Sequence, residues 1–127
     1  HNIDVPVSFN RKEEKDHGEG GKTLGAPLKG KILIVDDVIS AGTSVNESHT
    51  LIRAHQASLV GVVIALDRQE RGHGVLSAIQ EVEAAHDAQV LSIIDLGDIA
   101  EYISNIGGFS EQIAAIRKYS SEYGTTI

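Results

Sequence analysis

Two uninterrupted apolar runs constrain this chain more than any other feature. Residues 31–36 read Lys-Ile-Leu-Ile-Val-Asp, and residues 59–66 read Leu-Val-Gly-Val-Val-Ile-Ala-Leu. Neither alternates apolar with polar side chains. Runs of this kind fit strands buried on both faces, as in a parallel sheet. Between them, Val45, Ser48, Leu51, Ile52 and His55 form the less polar stripe of a helix over about 44–56. Ser44 and Glu47 have capping-box spacing at its start. Leu76 opens a second helical stretch to His86, with Ile79 and Val82 at helical spacing, and residues 89–94 read as a third strand. Two more helices, 99–106 and 110–119, flank Gly107-Gly108. Strands alternating with helices predict an α/β fold: a parallel sheet with flanking helices and right-handed crossovers. At 127 residues the chain reads as a single domain, 1–127.

The ends of the two apolar runs carry the chemistry. The first stops at Asp36-Asp37, the second at Asp67-Arg68. Carboxyl ends of strands are where open α/β sheets bind ligands. Ionised carboxylates accept hydrogen bonds only, which suits the vicinal hydroxyls of a sugar. The small residues Ser40, Ala41, Gly42, Thr43 and Ser44 then lead into the helix. Backbone N–H groups at a helix start are unpaired and favour anions. Acids that grip hydroxyls beside a cradle that grips an anion point to a phosphorylated sugar.

Ahead of these runs, Val5-Pro6-Val7-Ser8-Phe9 reads as a short strand. Residues 11–30 show neither helical nor strand period and carry glycines at 18, 20, 21, 25 and 30, so a long functional loop is expected over about 10–29. Arg11, Lys12, Lys15 and His17 lie in it, among Glu13, Glu14, Asp16 and Glu19. Gly20-Gly21-Lys22-Thr23 ends like a nucleotide-binding P-loop, but that pattern needs glycine at 16, where this chain has Asp16.

Val35-Asp36-Asp37-Val38-Ile39-Ser40-Ala41-Gly42-Thr43-Ser44 resembles the phosphoribosyl pyrophosphate (PRPP) signature of the type I phosphoribosyltransferases. Residues 9–21, Phe-Asn-Arg-Lys-Glu-Glu-Lys-Asp-His-Gly-Glu-Gly-Gly, resemble the mobile catalytic loop of the orotate phosphoribosyltransferases within that superfamily. The resemblance implies a type I phosphoribosyltransferase-like fold whose N-terminal part is missing from this chain. It implies transfer of a 5-phosphoribosyl group from PRPP to orotate, releasing pyrophosphate, a step of pyrimidine synthesis. Asp36 and Asp37 would hold the ribose hydroxyls, and residues 38–44 the 5-phosphate. Lys15 and His17 would act on the departing pyrophosphate with Arg11 and Lys12. Ser40 and Arg68 would meet orotate. It further implies Mg²⁺ held mainly through PRPP, no metal site made of protein groups alone, and a homodimer with the loop shared between subunits.

Composition narrows the alternatives. The net charge of −7 argues against a general nucleic-acid partner. Without cysteine there is no disulfide framework or thiolate chemistry, in keeping with a cytoplasmic protein. No apolar run reaches membrane-spanning length. The chain starts at His1 and holds no methionine; a C-terminal portion of a longer enzyme, inactive by itself, is expected. Two rival readings are a phosphoribosyltransferase for another base, and a non-catalytic PRPP-binding regulatory protein. A regulator has no use for the Arg11, Lys12, Lys15 and His17 set.

Overall fold

The computed structural model describes residues 2–15 and 21–125. Its first two strands, β1 (Ser8–Lys15) and β2 (Gly21–Gly25), form an antiparallel pair, with Phe9 opposite Leu24 and Asn10 opposite Thr23. The expected structureless loop is therefore a hairpin over much of its length. Apart from the facing pair Phe9 and Leu24, its strands are made of polar residues and glycine, so no period marks them. Gly25, at φ 111°, closes the pair where any Cβ would lie 2.4 Å from the Val7 carbonyl oxygen.

The second sheet is parallel, in the order β3 (Lys31–Asp36), β4 (Ser58–Asp67), β5 (Val90–Asp95). Helix α1 (Thr43–Ala54) joins β3 to β4, and α2 (Ala78–His86) joins β4 to β5. The α/β expectation is borne out. Ile39, Val45, Val62, Ile64, Ala78, Val82 and Val90 form the core between α1, α2 and one face of this sheet. The register places Ile34 beside Val62 and Val62 beside Val90, so one row of β-branched side chains crosses all three strands on the covered face.

Burial on both faces, expected for residues 31–36, is not observed. Burial in β3 alternates: Ile32 and Ile34 are half-buried, whereas Leu33 and Val35 are exposed. Two crossovers running in the same direction put both helices on one side, and no described element lies over the other.

Helix α3 (Leu96–Ile106) starts directly from β5. Asp95 caps it, accepting from the Asp98 N–H, while Asp98 accepts from the Asp95 N–H. Helix α4 (Ser110–Tyr123) extends four residues past the expected end and returns to the segment after β4: the Arg71 N–H donates to the Tyr123 carbonyl. Tyr119 and Tyr123 pack together with ring centroids 4.9 Å apart. Tyr102 of α3 is exposed.

Candidate active site

Strand β3 delivers Asp36 as its last residue and Asp37 as the first beyond it. Their carboxylates do not hang free. One Asp36 oxygen accepts from the Asp37 N–H at 2.9 Å, the other from the Ser44 hydroxyl at 2.7 Å. Asp37 accepts the Val38 N–H at 2.6 Å through Oδ1, and Oδ2 has no partner among the described residues. The Asp37 carbonyl takes the N–H groups of Ala65 and Leu66 at 3.0 and 3.1 Å, which fixes the acid pair against the end of β4. Asp36 is thus oriented by local bonds, while Asp37 keeps an oxygen for a ligand.

The turn after the acids follows a division of labour. Ile39 is buried in the core, so only its backbone faces the loop. Gly42 is the N-cap of α1, at φ 66°, in the left-handed region that glycine enters without penalty. A Cβ there would lie 2.9 Å from Cγ2 of Val82, so α2 presses directly on the cradle. The Ser44–Glu47 capping box does not form: the helix starts one residue earlier, and no side chain caps it. Ser44 already lies inside α1, so its hydroxyl is not placed to cap the helix and donates to Asp36 instead. The first-turn N–H groups of α1 therefore have no capping side chain, and no acidic residue lies in that turn. Such an end accepts phosphate.

Arg68 follows the last residue of β4, at the same edge of the sheet as Asp36 and Asp37. Its Nη2 donates to the Glu70 carboxylate at 3.0 Å. The other Glu70 oxygen accepts the Tyr119 hydroxyl. That bond, more than burial, raises the Tyr119 phenol above its ordinary value. Arg68 Nε is buried with no partner among the described residues. Sequence reasoning missed Tyr119 as part of this edge; it lies 49 residues from Glu70, and no local pattern links them.

Of the loop residues, Arg11 sits half-buried on β1, and Lys12 and Lys15 lie on the same strand. The side chains of Lys12 and Lys15, and the whole of His17, lie outside the described residues. The hairpin touches the sheet domain where the Asn10 amide donates to Ser48 of α1 at 3.5 Å. Ser40 and Ala41 lie exposed in the cradle turn, and Thr43 and Ser44 open α1.

Residues 2–90 match the phosphoribosyl transferase domain family. The chain belongs to this family. Among curated relatives, the orotate phosphoribosyltransferase of Alteromonas mediterranea is 60% identical over 98% of this chain and 58% of that protein. The Haemophilus influenzae (strain Rd) orotate phosphoribosyltransferase is 58% identical over 96% of this chain and 57% of its own length. A crystal structure of the Francisella tularensis orotate phosphoribosyltransferase superimposes with a TM-score of 0.76 at 32% identity, covering 98% of this chain and 58% of that one. The expected resemblance and the fold are borne out. This phosphoribosyl transferase domain spans a little under three fifths of the length of the relatives it matches. No described helix is long and apolar enough to cross a membrane.

Proposed function

We propose that this chain is the PRPP-gripping part of an orotate phosphoribosyltransferase, a cytoplasmic enzyme of pyrimidine synthesis. The supporting observation is the shared edge: two carboxylates at the end of β3, the Gly42-capped start of α1, and Arg68 at the end of the neighbouring strand. Each part matches one part of the reactants. Asp37 and Asp36 hold the ribose hydroxyls and stabilise positive charge on the ring. The α1 N-terminus holds the 5-phosphate. Arg68 meets the acceptor's carboxylate, with Ser40 beside it.

In the reaction, the C1–O bond of PRPP breaks and its electron pair leaves on pyrophosphate. A ring nitrogen of orotate forms the new bond to C1, giving orotidine 5′-phosphate. Lys15 and His17, with Arg11 and Lys12, neutralise the departing pyrophosphate from a hairpin that reaches a second subunit of a homodimer. Mg²⁺ fits this donor set through substrate oxygens with Asp37 at most, because it is commonly bound by one or two carboxylates plus phosphates. When bound it supplies charge neutralisation on the pyrophosphate.

The test is orotate-dependent pyrophosphate release. The parent for it is this chain completed to the length of the Alteromonas mediterranea relative with that protein's remaining sequence. Turnover with orotate but not with other bases supports the reading. Binding of PRPP without turnover supports the regulatory alternative. Residues 1–127 alone are expected to be inactive, and steady turnover by the isolated chain would refute that expectation.

A further inference from the structure

We infer that Glu70 and Tyr119 are positioning residues for Arg68, so that the C-terminal helix sets the acceptor end of the site. This rests on the reading of Arg68 as the orotate contact.

Three observations carry it. Glu70 uses one carboxylate oxygen on Arg68 Nη2 and the other on the Tyr119 hydroxyl, so it is clamped between two elements. The side chain of Glu70 is only 14% exposed against 33% for Arg68, so the anchor is the more buried member of the pair. The backbone around Glu70 is stitched to the end of α4: Arg71 N–H to Tyr123, Thr125 N–H to the Gln69 carbonyl, and an antiparallel bridge from Glu70 to Gly124.

A guanidinium has five donors, and Glu70 occupies one of them. The planar fork is therefore aimed without being consumed, and buried Nε remains as a donor with no partner among the described residues. An Arg whose direction is fixed before binding loses less side-chain entropy when a carboxylate arrives. Tyr119 acts one step back. Its phenol, held above its ordinary value by the Glu70 carboxylate, stays a donor throughout the neutral range and keeps Glu70 from rotating away.

The experiment measures orotate and PRPP kinetics in the completed chain, with Arg68→Ala as reference. Glu70→Gln should raise the orotate KM about tenfold, the loss of one charge-assisted bond, and leave the PRPP KM unchanged. Tyr119→Phe should raise the orotate KM by a smaller factor. The double variant should match Glu70→Gln alone, because Tyr119 works only through Glu70. Arg71→Ala removes the 2.6 Å bond from Arg71 Nη2 to the Glu122 carbonyl, a tie to the same helix that bypasses Glu70. It should lower the melting temperature and leave the orotate KM at the parent value.

Several results overturn the inference. These are an unchanged orotate KM in Glu70→Gln, an equal rise in the KM of both substrates, or an Arg71→Ala effect on orotate as large as that of Glu70→Gln. If Arg68→Ala itself leaves orotate binding intact, the orotate reading of Arg68 falls with it. If Arg68→Ala weakens binding and Glu70→Gln does not, only the relay falls. Tyr119→Phe, which removes a single hydroxyl, keeps the inference testable should Glu70→Gln fold poorly.

Discussion

At Gly42 backbone conformation and helix packing are one requirement. A residue at φ 66° with a helix pressed against it must lack a Cβ. Gly42→Ala should destabilise the chain by about 2 kcal/mol, the left-handed penalty plus displacement of Val82. Urea unfolding measures this; a midpoint equal to the parent's would show that the turn rearranges freely. The same change should weaken PRPP binding in the completed chain, since the turn proposed to meet the 5-phosphate must reshape. Ser44 is a different case, because its hydroxyl serves an acid eight positions upstream at 2.7 Å. Ser44→Ala should cost about 1 kcal/mol and release one Asp36 oxygen. The expected signature is a higher PRPP KM with the orotate KM unchanged. The sequence marked Asp36, Asp37, Gly42 and Ser44 as site residues because their types and spacing are local. It assigned Ser44 to a cap, since Glu47 sits at the right offset. The cap falls instead on Gly42, whose left-handed conformation starts the helix before Ser44, and the Ser44 hydroxyl is left to donate to Asp36.

Helices α1 and α2 were legible because each carries a buried stripe at helical spacing, Val45 and Ile52 in one and Ala78 and Val82 in the other, and the parallel strands because their apolar runs are unbroken. The hairpin was not legible because its one facing apolar pair, Phe9 and Leu24, is exposed and sets no period. Pairing between Ser8–Lys15 and Gly21–Gly25 depends on backbone bonds that any side chain permits. The contact between α1 and α2 was also hidden. His86 Nε2 lies 2.7 Å from Asn46 Oδ1, and its ring sits 4.4 Å from that of His49. Burial first, then the nearby His49, pushes the His86 pKa below the ordinary 6.5. The folded state thus resists a proton that the unfolded chain accepts. Stability should be full above about pH 6.5 and fall as pH drops through the window between the unfolded and folded values. Comparing the urea midpoint at pH 7.5 and 5.5 checks this, with His86→Gln as the control. The parent should lose stability on acidification and the variant should lose less. Equal losses would assign the effect to other groups. Since Asn46 donates its N–H to the Gly42 carbonyl, the same tie steadies the cradle.

Across the whole molecule, the decisive feature is the sheet face opposite α1 and α2. Leu33 and Val35 are 53% and 76% exposed, and Leu91 and Ile93 are 54% and 74%. The register puts Val35 beside Val63 and Val63 beside Leu91, so these side chains make one continuous apolar row. The apolar runs read as buried on both faces because their composition suits that environment, and composition reports the environment a strand is built for. In the described residues only one face has it. A contiguous apolar patch of this kind drives association. The isolated chain should therefore bind a hydrophobic dye and sediment as larger species as its concentration rises. Val35→Thr combined with Ile93→Thr should reduce both effects, because hydroxyls on the open face weaken apolar contact without touching the core. The chain completed to the length of its relatives should bind far less dye. If the isolated chain stays monomeric and dye-free at all concentrations, the open face is not sticky, and the argument from exposure fails. If the completed chain binds as much dye as the isolated one, the added sequence does not cover β3 and β5, and the face is available to a different partner.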